Sequence, residues 1–284
     1  FLPGANGDVT VVGGAAATFQ VSAQASTVAG SASGVTISTY DRYGNPASNY
    51  LGTVHLTSSD PQAGLPADYT FTTEQEELRR TVRKFAENEL APLVREAEES
   101  ESFPRQLFRR FGELGLIGVR YPAADGGAGF DKISDCIVRE EMSRVCQSFS
   151  SSWSAHSHLG IWPIWKAGTE AQRANYFRPA LAGERIAGFA LSEPDGGSDN
   201  RALRTRADRQ ADGSYRLTGT KIWISNAPEA ERYLVFATVD KAKKHKGVTA
   251  FIVERGMKGL STGTLHGKLG IRAGNTGLIN FENV

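Results

Sequence analysis

The sequence predicts an α+β protein in three parts. These are a partial antiparallel β-sandwich over residues 1–71, a helical bundle over 72–185 and a β-barrel-like or β-sandwich domain over 186–284. Three observations carry that division. Before Thr72 there are one Arg, four Asp, no Lys and no Glu, in a field of Ala, Gly, Ser, Thr and Val. Apolar residues then recur at helical spacing from Leu78 to Leu181. After Arg185 the period shifts towards two, with turn residues between short apolar runs. Strands, helices and strands segregated in this way mark α+β rather than alternating α/β architecture.

A chain of 284 residues can form two or three domains with a sizeable core. Its net charge of +1 points to no nucleic-acid or other polyanionic partner. No apolar run approaches the roughly 18 residues of a membrane span, and the residues after Phe1 do not have the pattern of a signal peptide. Cys136 and Cys146 read as reduced core or partly buried thiols, which favours a cytoplasmic compartment.

In residues 1–71 the β-prone runs are Val9–Val12, Thr18–Ser22, Val35–Tyr40, Thr53–Thr57 and Tyr69–Thr72, punctuated by turns such as Asp41–Pro46. A sandwich built from these would lack its last two strands and leave open edges. His55 falls within a strand and reads as a structural side chain.

The helical part begins with a capping-box pattern, Thr73 as N-cap and Glu76 three residues on. Leu78, Val82, Phe85 and Leu93 follow as one face, and Pro92 is expected to kink or end this helix. A second helix holds Leu107 to Leu116. The loop Ala123–Gly129 is glycine-rich but lacks a strand–helix frame, so it reads as a connecting turn. A third helix spans Asp131 to Gln147. A fourth spans Phe149 to Ala167 and carries Trp153, His156, His158, Trp162 and Trp165. The two histidines are two residues apart and point in different directions on a helix, so no metal site is expected. A fifth helix spans Glu170 to Ala182.

The apolar run Ile186–Leu191 reads as a strand entering a loop rich in Pro, Gly, Asp and Ser. Hydroxyls of Ser192 and Ser198, with backbone N–H groups, suit an oxygen-rich ligand such as a diphosphate or a flavin edge. The alternative is a polar surface turn. Asp212-Gly213 signals a hairpin. Ile222 and Ile224 point one way and Trp223 the other. Leu234–Val239, Val248–Val253 and Leu278–Val284 read as further strands. Lys241–Lys246 is a solvated loop or a contact for nucleotide phosphates.

Three ordered blocks carry a family resemblance. Ala190-Leu191-Ser192-Glu193-Pro194-Asp195-Gly196-Gly197-Ser198-Asp199-Asn200-Arg201-Ala202 resembles the flavin-binding signature of the acyl-CoA dehydrogenase family. Lys221-Ile222-Trp223-Ile224-Ser225-Asn226 and Lys268-Leu269-Gly270-Ile271-Arg272 resemble two further family segments, and the likeness runs from about Thr73 to Val284. It implies FAD as cofactor and an acyl-CoA thioester as substrate, oxidised to a 2-enoyl-CoA. It further implies a flavin wall of Phe189, Ala190, Leu191, Ser192 and Gly197, faced by Trp223, Ile224 and Ser225. Ser198 would stand where flavin and the pantetheine arm meet, as a substrate-binding residue too. Asp195 departs from the pattern, Gly being commoner there. The family's catalytic Glu lies in a C-terminal helical domain and no Glu here matches it, so no catalytic residue is assigned and little activity is expected of this chain alone. Implied partners are an electron-transfer flavoprotein and, through that C-terminal domain, further copies in a homo-oligomer. Acyl-CoA oxidases share the same wall.

Separately, Asp41–Pro46, Gly52–Pro61 and Leu65–Phe71 resemble repeated immunoglobulin-like modules of bacterial surface proteins. That resemblance implies an alternative function as an adhesion-type binding protein. A non-catalytic flavin- or CoA-binding relative is a third reading.

Overall fold

The computed structural model describes residues 9–12, 18–23, 35–40, 53–56, 69–199 and 202–284, and the chain divides into two compact units, 1–82 and 83–284. In the first unit the strands are β1 (Val9–Val12), β2 (Thr18–Ala23), β3 (Val35–Tyr40), β4 (Thr53–Leu56) and β5 (Tyr69–Thr70). They form an antiparallel three-stranded sheet of order β1-β4-β5 and a separate β2-β3 ribbon. His55 lies in β4, opposite Thr10. The Asp41–Pro46 turn and residues 57–68 fall outside the described residues.

Helix α1 (Thr73–Phe85) starts with a capping box one residue earlier than expected. The Thr72 side chain accepts from the Gln75 N–H at 3.2 Å, and the Gln75 side chain accepts from the Thr72 N–H at 3.0 Å. Gln serves the reciprocal role as well as Glu does. Pro92 does not end the helix. A π-helical stretch, Ala86–Leu90, widens the backbone just ahead, and α2 (Ala91–Ser100) continues with Pro92 in its first turn.

In the second unit α3 (Gln106–Glu113), α4 (Lys132–Val145) and α5 (Gln147–Ser154) surround an aromatic core of Phe103, Phe108, Phe111, Phe149 and Trp153. Asp131 caps α4 by accepting from the Ser134 N–H at 2.8 Å. The expected fourth and fifth helices are each interrupted. α5 passes into a π-helical stretch, Ala155–Gly160, before α6 (Trp162–Ala167). α7 (Glu170–Gln172) passes through another, Arg173–Phe177, into α8 (Arg178–Leu181). Cys146 is buried, but Cys136 is exposed, because it lies on the outer side of α4; both thiols are free.

The remaining strands are β6 (Ala187–Ala190), β7 (Arg206–Arg209), β8 (Tyr215–Ser225), β9 (Arg232–Thr238), β10 (Val248–Glu254), β11 (Leu260–Thr264) and β12 (Thr276–Glu282). They form one seven-stranded sheet of order β10-β9-β7-β8-β12-β11, with β6 paired to β9. The β6–β9 pairing is parallel, and β7 meets β9 at Arg206 and Thr238. β6 and β7 thus lie one after the other along β9; residues 191–199 leave the sheet after β6, and residues 202–205 lead into β7. Gly160 lets the second π stretch lie directly on β6, since a Cβ there would stand 2.8 Å from the Ala187 Cβ.

Candidate functional site

Strand β6 delivers the loop after Leu191, and both of its ends are tied by buried polar side chains. At its start the Ala187 N–H donates to His156 Nδ1 at 2.9 Å, while His156 Nε2 donates to the Ala180 carbonyl at 3.0 Å. The His156 ring is fully buried and packs edge-on against Phe108. Burial drives its pKa down to about 4, so it is neutral at physiological pH. His158 points away to Asp135, at 2.8 Å.

Just past the other end of β6, Lys221 Nζ donates to the Leu191 carbonyl at 3.0 Å and to Glu193 Oε1 at 2.7 Å. The Lys221 side chain is 0% exposed. Glu193 also accepts from the backbone N–H groups of Arg204 (2.6 Å) and Thr205 (3.0 Å). Burial alone would raise the Glu193 pKa, but the Lys221 ammonium and the Thr205 and Arg204 N–H donors outweigh it and hold the carboxyl below its usual range. The Ile222 N–H donates to the Ser192 carbonyl at 3.0 Å, so Leu191 and Ser192 are both bonded to β8.

Trp223 interrupts β8. Between the Lys221–Ile279 and Ile224–Gly277 pairs, Ile222 and Trp223 face the single residue Leu278, which makes a β-bulge. Trp223 adopts a left-handed backbone, φ 60°, and its side chain is 64% exposed. A non-glycine residue held there stores about 1 kcal/mol of strain. The indole and Ser225 line a cleft of about 290 Å³ with Ser151, Ser152, Lys268, Ile271 and Thr276. Lys268 Nζ donates to the Gly274 carbonyl, and burial lowers its pKa against the opposing pull of Glu101 and Glu98. The loop carrying Lys268 is anchored to α2. Glu98 accepts from the Arg272 N–H at 3.0 Å, and Glu101 pairs with Arg272 Nη2 at 2.6 Å.

Asn226, also with a left-handed backbone, donates from Nδ2 to the Ser152 carbonyl at 2.9 Å. Its N–H donates to the Asn275 carbonyl at 2.6 Å. One buried residue, through its side-chain and backbone amides, therefore joins α5, the end of β8 and the entry to β12 around the cleft.

The structure sorts the expected residues into groups. Leu191 and Ser192 are bonded to β8, while Trp223 and Ser225 share the cleft with the third sequence block. Ala190 and Ile224 are buried, so only their backbones are available to a ligand, and Phe189 packs against Phe236 with ring centroids 5.0 Å apart. Gly197 is exposed on the loop. Ser198 lines a different cavity of about 790 Å³ with Asp199, Ala202, Leu203, Thr238, Lys241 and Lys244. There the Thr238 hydroxyl is buried with no hydrogen-bond partner. The odd residue Asp195 is neutralised by Arg204, Nη1 to Oδ2 2.5 Å. Sequence reasoning missed the roles of Glu193, Lys221, Asn226 and Lys268, although all four stand inside the three blocks. A signal for Lys221 was present: it occupies the inward phase of β8 set by Leu217. Among the described residues, no group of His, Cys, Asp or Glu side chains could hold a metal ion, and no helix is long and apolar enough to cross a membrane.

Comparison with known proteins gives the family. Residues 72–184 match the acyl-CoA dehydrogenase N-terminal domain and residues 188–284 the acyl-CoA dehydrogenase middle domain. A short-chain specific acyl-CoA dehydrogenase of Clostridium acetobutylicum is 41% identical over 217 residues, 76% of this chain and 57% of that protein. The structure of butyryl-CoA dehydrogenase from Megasphaera elsdenii superposes with a TM-score of 0.73 at 33% identity, covering 77% of this chain and 58% of that one. A glutaryl-CoA dehydrogenase of Mycobacterium smegmatis, solved in complex with FADH2, gives a TM-score of 0.71 at 31% identity, covering 75% of this chain and 54% of that one. The chain thus spans a little over half the length of these relatives. Its residues 72–184 and 188–284 are the N-terminal and middle domains of the acyl-CoA dehydrogenase family.

Proposed function

We propose that the chain forms the flavin-facing part of an FAD-dependent acyl-CoA dehydrogenase, with residues 72–185 as its helical domain and 186–284 as its middle β domain. The observation that carries this reading is the convergence of all three blocks on β8. Leu191 and Ser192 are bonded to its residues 221 and 222, and Trp223 and Ser225 share one cleft with Lys268 and Ile271. The residues suit the cofactor. An exposed indole on the β8 bulge offers a stacking face for a planar heteroaromatic ring, and Ser225, Thr276 and Lys268 offer donors to ring carbonyls. FAD, when bound, supplies the hydride-accepting ring. Leu191, Ser192 and Gly197 would hold its edge, while Trp223, Ile224 and Ser225 form the facing wall.

Ser198 is the residue proposed to meet an acyl-CoA substrate. Lys241 and Lys244 across the same cavity, with the unpartnered Thr238 hydroxyl, suit phosphate groups of a nucleotide. The α-proton base is assigned to none of the carboxylates of 72–284. The 284-residue chain alone is therefore expected to bind FAD without the turnover of full-length relatives. An electron-transfer flavoprotein as acceptor, a homo-oligomeric state and a cytoplasmic location complete the proposal. Residues 1–71 are read as a partial immunoglobulin-like module, supported by the antiparallel pairing of β1 with β4 and of β2 with β3.

The test is the visible spectrum of the purified chain after incubation with FAD and desalting. A retained oxidised-flavin spectrum supports the reading, and a colourless protein overturns it. Turnover with an artificial electron acceptor at the rate of full-length relatives would overturn the assignment of the base. Oxygen consumption in place of acceptor reduction would reassign the chemistry to an oxidase.

A further inference from the structure

Lys221 is a buried cation inside a sheet, which is costly unless it has work to do. Its ammonium reaches the residues that leave the sheet after β6. It grips the Leu191 carbonyl at 3.0 Å and Glu193 at 2.7 Å. Glu193 in turn gathers the N–H groups of Arg204 and Thr205, where the chain returns towards β7. The Glu193 backbone closes a tight turn on Gly196, with N–H to carbonyl bonds of 2.8 and 3.1 Å in the two directions. Both feet of the loop are therefore fastened to one point on β8, and Trp223 stands two residues further along that strand.

We propose that the Lys221–Glu193 pair is a positioning device that fixes the spacing between the Leu191–Ser198 loop and the Trp223 bulge, and so sets the geometry in which the loop backbone meets the ligand. The inference rests on the flavin reading for the identity of that ligand, but not for the fastening itself. Lys221 and Glu193 are positioning residues; neither is assigned contact with the cofactor. A neutral pair of similar size, Met with Gln, would fill the same volume without directing the Leu191 carbonyl, so packing and positioning can be separated.

The experiment compares the full chain with Lys221→Met and with the double variant Lys221→Met, Glu193→Gln. The double variant removes both charges; Arg204 and Thr205 donate to separate Glu193 oxygens, so the Gln amide, with one oxygen, keeps one of those two bonds. Circular dichroism and thermal melting report folding. Amide hydrogen exchange is read over residues 191–199, and over α4 as an internal control. The FAD dissociation constant and the visible circular dichroism of bound FAD report the site. The double variant is expected to stay folded and to melt between Lys221→Met and the parent, to lose at least tenfold of the exchange protection in 191–199 with α4 unchanged, to bind FAD at least tenfold more weakly and to alter the flavin dichroism. Lys221→Met alone is expected to share these site defects and to melt lower.

A folded double variant with parental loop exchange and FAD affinity within twofold would overturn the positioning role. If the parent binds no FAD, the flavin reading falls, and the exchange arm still decides the fastening: selective loss in 191–199 supports it, and unchanged protection refutes it.

Discussion

The two ends of β6 are held by different chemistry. At Ala187 the holder is a neutral, fully buried histidine shared with the Ala180 carbonyl; at Leu191 it is a buried ammonium balanced by a carboxylate. The neutral holder sits between the helical layer and the sheet, where its task is to satisfy backbone groups that would otherwise be orphaned. The charged holder sits inside the sheet, where one side chain must bind a carbonyl, a carboxylate and, through that carboxylate, two amides. A neutral side chain lacks the donors and the field for this. The pairing teaches that the fold uses a tautomer where one strand end must be fastened, and an ion pair where several segments must be gathered.

The comparison can be broken most severely at the charged end. Lys221→Met leaves Glu193 buried without its counter-ion and is expected to cost about 3–5 kcal/mol, read from the shift in denaturant midpoint. Adding Glu193→Gln removes the unpaired charge and should restore part of that loss, one of the Arg204 and Thr205 N–H groups losing its acceptor. A single variant as stable as the parent would show that the pair is not a gathering point.

The neutral end is sharpened by pH. In the unfolded chain a histidine takes up a proton near pH 6.5, whereas folded His156 refuses it until about pH 4. The unfolded state therefore binds more protons between those values, so stability falls as pH drops from 6.5 to 4 and levels off below. A gap of that size corresponds to about 3 kcal/mol. His156→Gln should flatten this part of the stability profile; an equally steep profile would assign the effect to other groups.

Asn226 tests whether the cleft depends on the same logic. Asn226→Ala leaves the Ser152 carbonyl short of a donor and should cost about 1–3 kcal/mol, with hydrogen exchange rising at the C-terminal end of α5. Trp223→Gly should have the opposite sign on stability. Relief of the left-handed strain gives back up to about 1 kcal/mol, while retention of FAD after desalting is expected to fall. The smallest effect is expected at the exposed Asp195–Arg204 pair. There Asp195→Asn should change stability by less than about 1 kcal/mol, and salt should erase the difference.

Much of the fold was legible. Apolar spacing located the helices because one stripe of each must face the core, and the switch of period after Arg185 located the sheet. β11, Leu260–Thr264, was missed because its Ser, Thr and Gly residues carry no alternation of hydrophobicity. The capping box was placed one residue late because Thr72-Thr73 and Gln75-Glu76 offer two overlapping registers, which sequence alone ranks equally. Of the two outcomes expected at Pro92, a kink or an end, the end does not occur: a π-helical stretch, Ala86–Leu90, interrupts the helix just ahead and α2 continues.

The sequence by itself determined which residues stand in the three blocks, that they follow β6, lie along β8 and precede β12, and that aromatic residues fill the helical layer. The blocks were marked by their likeness to the family, whereas the elements around them depend on local period and turn chemistry, which neighbours along the chain set. Only the tertiary structure decided that Trp223 turns outward on a bulge, that Ser198 faces a different cavity from Ser225, and that Lys221, Glu193, His156 and Asn226 fasten the pieces. Each of these depends on groups far apart in the chain, 28 residues in the case of Glu193 and Lys221 and 74 in that of Asn226 and Ser152. Their pairing is chosen by the energy of burying a polar group with its partner, which no local pattern records.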